Sequence, residues 1–111
     1  MRYGKKFVTL QAEMKTRAEY IDMIRNHAAD LKSQFGVRSL RIFGSVAREQ
    51  QTNESDVDVC IDMPPRIFKL VGVRNYLEEL LGCRVDVVRE HNNMNALLRQ
   101  EIDNDGIFVF N

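Results

Sequence analysis

Two aspartates stand one residue apart in Asp56-Val57-Asp58-Val59-Cys60-Ile61, inside a β-branched run that alternates with period two. On a strand, Asp56, Asp58 and Cys60 share one face, and Val57, Val59 and Ile61 share the other. Residues i and i+2 lie roughly 6.6 Å apart along a strand. Carboxylates reaching about 2.5 Å each can therefore converge on cations spaced about 3.5–4 Å apart, the usual two-metal distance. Held about 5 Å apart with no cation, the two charges repel by roughly 3 kcal/mol at an effective dielectric of 20. A strand that fixes them side by side needs a reason. Mg²⁺ supplies one, because it is a hard cation that takes oxygen ligands and keeps several waters.

Upstream, Arg41-Ile42-Phe43 leads straight into Gly44, where the backbone can turn tightly because no Cβ obstructs it. Ser45 then opens a segment, Val46 to Gln50, that can take one or two helical turns. A strand that stops at Gly-Ser and enters a helix leaves free N–H groups aimed at one spot, with the positive end of the helix dipole behind them. That spot suits a phosphate.

Gly44-Ser45, a turn and loop, and then Ser55-Asp56-Val57-Asp58 together resemble the signature of the DNA polymerase β nucleotidyltransferase superfamily. The small size points to its minimal nucleotidyltransferase (MNT) branch, and the likeness covers the chain from about Thr16 onward. The resemblance implies that Asp56 and Asp58 bind metal and that Asp86, in Cys83-Arg84-Val85-Asp86-Val87-Val88, is the third carboxylate. Taken alone, Asp86 is equally a solvating charge on an edge strand. Three carboxylates gathered in one place have almost no stable metal-free arrangement unless one takes up a proton. The implied site thus has Asp56, Asp58 and Asp86 as catalytic and metal-binding residues around two Mg²⁺ ions. Gly44, Ser45, Arg48 and Ser55 would hold the nucleotide, with Arg48 near the departing pyrophosphate. One position departs from the pattern: Glu49 stands where the family often has glycine.

The elements needed to position these residues are legible in the pattern. Thr16-Arg17-Ala18-Glu19 reads as a capping box. It opens a helix whose stripe Ile21, Ile24, Ala28, Leu31 and Phe35 ends at Gly36. His27 lies beside that stripe with no ligand-type residue at i±4, which gives it a structural role. Residues 37–43 and 56–62 read as strands, the second ended by Pro64-Pro65. Residues 66–81 form a helix with Ile67, Leu70, Leu77, Leu80 and Leu81 as its buried side, and Gly82 follows its end. Gly72 inside that helix costs about 1 kcal/mol against alanine. A third strand runs over 83–88, Asn92-Asn93 caps a helix through Leu97, Leu98 and Ile102, and 106–110 is a last strand. His91 falls in a polar turn. The order gives an α+β fold, a mixed sheet with helices packed on one face and the aspartate-bearing face left open for substrate. Residues 1–14 are an extension of uncertain structure ahead of a domain over 15–111.

Composition narrows the classes. A chain of 111 residues, 44% hydrophobic and 29% charged, fits one globular domain. Sixteen basic residues balance sixteen acidic ones, so no overall field recruits nucleic acid, and no direct nucleic-acid contact is expected. No apolar run is long enough to span a membrane, and the N-terminus lacks the apolar segment of a signal peptide; a cytoplasmic location is expected. Cys60 and Cys83 form neither a disulfide framework nor a zinc spacing and read as small reduced core residues.

The chemistry implied is nucleotidyl transfer from a nucleoside triphosphate, and the open question is the acceptor. Relatives in the MNT branch are commonly encoded with a HEPN-domain ribonuclease toxin and transfer AMP from ATP to a tyrosine of it. The resemblance therefore implies an ATP-using antitoxin with a HEPN partner. A decayed transferase that neutralises the toxin by contact competes with it, since Glu49 would bring a negative charge close to the phosphates. An antibiotic-modifying transferase is a third reading, opposed by the absence of an acceptor-binding domain.

Overall fold

Thr16 closes the capping box that the sequence predicts: its hydroxyl accepts from the Glu19 N–H (3.1 Å), and its own N–H donates to Glu19 Oε1 (2.7 Å). Residues 15–111 are described in this computed structural model; the extension 1–14 lies outside the described residues. The expected long first helix is two, α1 (Arg17–Arg25) and α2 (Ala28–Phe35). They part at Asn26-His27, where His27 leaves helical geometry (φ −112°, ψ 15°). The His27 Nδ1–H donates to the Met23 carbonyl (2.9 Å), and the ring meets Tyr76 edge-on. The apolar stripe survives the break, because Ile24 and Leu31 are both fully buried.

Four strands follow the expected order: β1 (Ser39–Phe43), β2 (Val57–Asp62), β3 (Val85–Arg89) and β4 (Ile107–Phe110). They pair as β3-β2-β1-β4, with β1 antiparallel to both β2 and β4, and β2 parallel to β3. A parallel pair needs a crossover. Here it is α4 (Ile67–Leu81), which starts after Pro64-Pro65 and ends at Gly82 in the left-handed conformation. The two remaining helices are α3 (Gly44–Ala47) and α5 (Ala96–Asp105).

The main core lies between one sheet face and α1, α2 and α4: Leu40, Ile42, Val57, Val59 and Ile61 meet Ile24, Leu31, Val73, Leu77 and Leu81. The buried stripe of α4 is Val73, Leu77 and Leu81 at i, i+4 and i+8. Ile67, expected inside, is 65% exposed; packing against the core begins one turn later, at Leu70. Gly72 proves to be a contact point. A Cβ there would sit 2.7 Å from Cε1 of Phe35, so the missing side chain lets α2 approach α4.

The other face is not wholly open. α5 lies across it and buries Ile102 against Phe43 and Cys60, with Val88, Met94 and Leu98 around them. The apolar residues that share this face with the aspartates require the cover. α5 is capped by Asn95, whose Oδ1 accepts from the N–H groups of Leu97 and Leu98 (2.9 and 3.1 Å), rather than by Asn92-Asn93. Among the described residues no helix is long and apolar enough to cross a membrane.

Candidate active site

Strand register decides which acids meet. β2 and β3 pair in parallel with Val57 opposite Val85 and Asp58 opposite Asp86. Val57 and Val85 belong to the main core, so Asp58 and Asp86 lie on the opposite face, on strands about 4.8 Å apart. Phe43, the last residue of β1, flanks Asp58 on its other side. The chain turns immediately after Phe43, which brings the Gly44-Ser45 turn beside Asp58.

Gly44 is required twice over. Its φ is +73°, where side chains other than glycine are strained, and a Cβ there would overlap the Asp58 carboxylate. The glycine that frees the turn also makes room for the metal-binding candidate. Burial, then the negative charges of Asp86, Asp56 and Glu101, push the Asp58 carboxyl up from 3.8 to about 6, with Arg48 pulling the other way. Glu101, on α5, carries no motif in the sequence. Only the packing of α5 beneath the sheet brings it into the field of Asp58, so no sequence signal would have found it.

The other predicted residues are engaged elsewhere. Asp56, just before β2, takes a hydrogen bond from Arg84 Nε (3.2 Å), an exposed pair at the mouth of β2 and β3. A shallow depression of about 480 Å³ opens there between residues 53–56 and 82–84, beside the acids rather than over Asp58. Among the described residues no three acidic, cysteine or histidine groups form a ready-made metal site. Ser55 holds its own loop: its hydroxyl accepts from the Thr52 N–H (2.9 Å), and its N–H donates to the Thr52 carbonyl. Arg48 reaches α5, with Nη1 on Asp105 Oδ2 (2.8 Å) and near Glu101 (3.9 Å), and its Nε donates to Gln50. Ser45 is half-buried at the second position of α3.

The donor set fits a divalent cation chemically. Asp58 and Asp86 are hard oxygen ligands side by side, burial and then the neighbouring negative charges hold the Asp58 carboxyl above its usual range, and Asp56 is held nearby in an exposed pair with Arg84. The Glu49 carboxylate pairs with Arg17 Nη2 (3.5 Å), which sets a cation beside the charge expected near the phosphates. Glu49 itself is the one non-glycine residue with positive φ (+60°) among the described residues, which is why glycine suits the position.

The nucleotidyltransferase domain family matches residues 24–109. A protein of Methanocaldococcus jannaschii, provisionally named protein adenylyltransferase MJ1217, is 39% identical over 98 residues, spanning 86% of this chain and all of the relative. The protein adenylyltransferase MntA of Thermococcus cleftensis is 39% identical over 77 residues, 68% of this chain and 78% of that protein. Among solved structures, one described provisionally as a minimal nucleotidyltransferase superposes with a TM-score of 0.68 at 28% identity, covering 86% of this chain and 97% of the other. A toxin–antitoxin complex with AMP-PNP shares the fold (TM-score 0.63, 19% identity, 78% of this chain and 72% of that one). So does the tri-AMPylated Shewanella oneidensis HEPN toxin in complex with MNT antitoxin (0.58, 16%, 81% and 71%). The strand register, the glycine turn and these relatives converge: the chain belongs to the nucleotidyltransferase domain family and is a nucleotidyltransferase.

Proposed function

We propose that this enzyme transfers AMP from ATP, with Mg²⁺, to a tyrosine hydroxyl of a co-encoded HEPN ribonuclease toxin, and so acts as its antitoxin. The observation that carries the reading is Asp58 facing Asp86 across adjacent strands, with the Gly44 turn against Asp58. The acceptor class is supported by relatives named protein adenylyltransferases and by fold neighbours solved with a HEPN toxin.

Asp58, Asp86 and, once released from Arg84, Asp56 would hold the metal, which supplies charge neutralisation along the triphosphate and lowers the barrier to attack. The N–H groups at the start of α3 and the Ser45 hydroxyl bind the β and γ phosphates. The acceptor oxygen forms a bond to the α phosphorus as the bond from that phosphorus to the bridging oxygen breaks. Pyrophosphate departs with that bridging oxygen and its electron pair. Asp86, exposed on β3, receives the hydroxyl proton at a carboxylate oxygen. Arg48 serves the leaving pyrophosphate by exchanging Asp105 for it. Ser55 acts at one remove, by fixing the loop that delivers Asp56.

The test is intact-mass spectrometry of the co-encoded HEPN protein after incubation with this enzyme, ATP and Mg²⁺. Each transfer adds about 329 Da, the covalent increment of AMP. Asp58→Asn removes the increment if the reading holds. Full modification by that variant overturns the metal assignment. Suppression of toxicity in cells by Asp58→Ala, with no mass increment, would instead establish neutralisation by contact.

A further inference from the structure

The turn proposed to hold the triphosphate is a single helical turn, and its carbonyls can be accounted for one by one. The Gly44 carbonyl accepts from the Arg48 N–H (3.1 Å), that of Ser45 from Gln50 (2.8 Å) and that of Val46 from Glu49 (3.0 Å). The last two bonds, with Glu49 left-handed between them, form a Schellman motif whose usual left-handed residue is glycine. The fourth carbonyl, Ala47, has its partner on another element: Arg17 Nη1, from the first turn of α1, donates to it at 2.8 Å. The same guanidinium turns Nη2 to the Glu49 carboxylate (3.5 Å). One side chain thus closes the end of the helical turn and holds the residue whose backbone is least at ease there. Its fork geometry allows both contacts at once.

From this accounting we infer that Arg17 is a positioning residue for nucleotide binding, setting the Gly44–Arg48 turn through the Ala47 carbonyl and Glu49. The inference rests on the reading that this turn holds the triphosphate. Arg17 touches no substrate, so its loss loosens the turn and weakens ATP binding while leaving Asp58 and Asp86 in place. Glycine at position 49 adopts the left-handed conformation without help, and so makes Arg17 dispensable.

The experiment compares wild type, Arg17→Gln, Arg17→Lys, Glu49→Gly and the Arg17→Gln/Glu49→Gly pair. ATP affinity is read by calorimetry with Mg²⁺, and KM for ATP and kcat with the co-encoded HEPN protein. Arg17→Gln removes a cation from a helix N-terminus, where the dipole disfavours it, so α1 is retained; circular dichroism checks this. The expected result is an ATP Kd and KM raised fivefold or more by Arg17→Gln, with kcat within twofold. Arg17→Lys falls between, and the double variant returns to within twofold of Glu49→Gly. An unchanged KM in Arg17→Gln overturns the inference, as does a fall in kcat at constant KM or a failure of Glu49→Gly to restore binding. If the wild type binds no ATP, the triphosphate reading falls and this one with it. If the wild type binds ATP and Arg17→Gln binds equally well, only this inference falls.

Discussion

In the metal-free protein, Asp58→Asn is expected to raise stability while it removes transferase activity. The Asp58 carboxyl is held at about 6 against an ordinary 3.8, by burial first and by Asp86, Asp56 and Glu101 next. A gap of that size corresponds to about 3 kcal/mol at 1.36 kcal/mol per unit. The group is only partly buried, so solvent screening reduces this to about 1–2 kcal/mol. The folded pKa is raised, so between pH 4 and 6 the native state keeps a proton that the unfolded chain has already released. Wild-type stability therefore falls as pH rises through that window, and the whole penalty is present above pH 6. Asparagine carries no such proton. Urea unfolding in EDTA should show wild type and Asp58→Asn equal near pH 4 and the variant more stable by about 1–2 kcal/mol at pH 7.5, and thermal unfolding at pH 7.5 should show its midpoint raised by about 4 °C or more. Mg²⁺ at pH 7.5 should then stabilise wild type and leave the variant unmoved. A variant no more stable than wild type at pH 7.5 would refute the burial and charge crowding of Asp58 from which the metal site is argued.

Three further outcomes follow from the same structure. Gly44→Ala meets both a positive φ and the Asp58 carboxylate, and should cost about 2 kcal/mol or more in urea unfolding and abolish the transfer. Arg84→Ala frees Asp56 from an exposed pair worth up to about 1 kcal/mol, so Mn²⁺ titration should show binding up to about fivefold tighter. Leu77→Ala, in the fully buried stripe of α4, should cost about 2–5 kcal/mol, whereas Ile67→Ala, in the exposed first turn, should cost less than about 0.5 kcal/mol by thermal unfolding.

The fold was legible wherever local chemistry and packing agree. The capping box at Thr16, the period-two run at β2 and the Pro64-Pro65 stop are set by residues within a few positions of each other, and each stands where the pattern puts it. What failed depended on distant partners. The break at His27 is stabilised by the Met23 carbonyl and the Tyr76 ring, and the second contact lies on α4. Ile67 reads as buried because its spacing matches the stripe, yet periodicity says nothing about where the neighbouring element begins. Cys60 shares a face with Asp58, and alternation alone treats them alike. Only the packing of α5 separates a buried thiol from a carboxylate left at the uncovered end.

The site divides along the same line. Strand alternation separated Asp58 from the core-facing Val57 and Val59, Asp56 falls just before β2 and is held by Arg84, and the register that sets Asp86 opposite Asp58 required the sheet. The counter-ions required the whole packed chain: Arg84 on Asp56, Asp105 on Arg48, Arg17 on Glu49. Glu49 shows the difference most plainly. As a sequence departure it reads as a negative charge set beside the phosphates. In the fold its carboxylate faces α1, and its left-handed backbone keeps the geometry that glycine would give. A charge is defined by its partner as much as by its position, and here the partner lies 32 residues upstream by number (49 − 17), supplied by the first turn of the first helix.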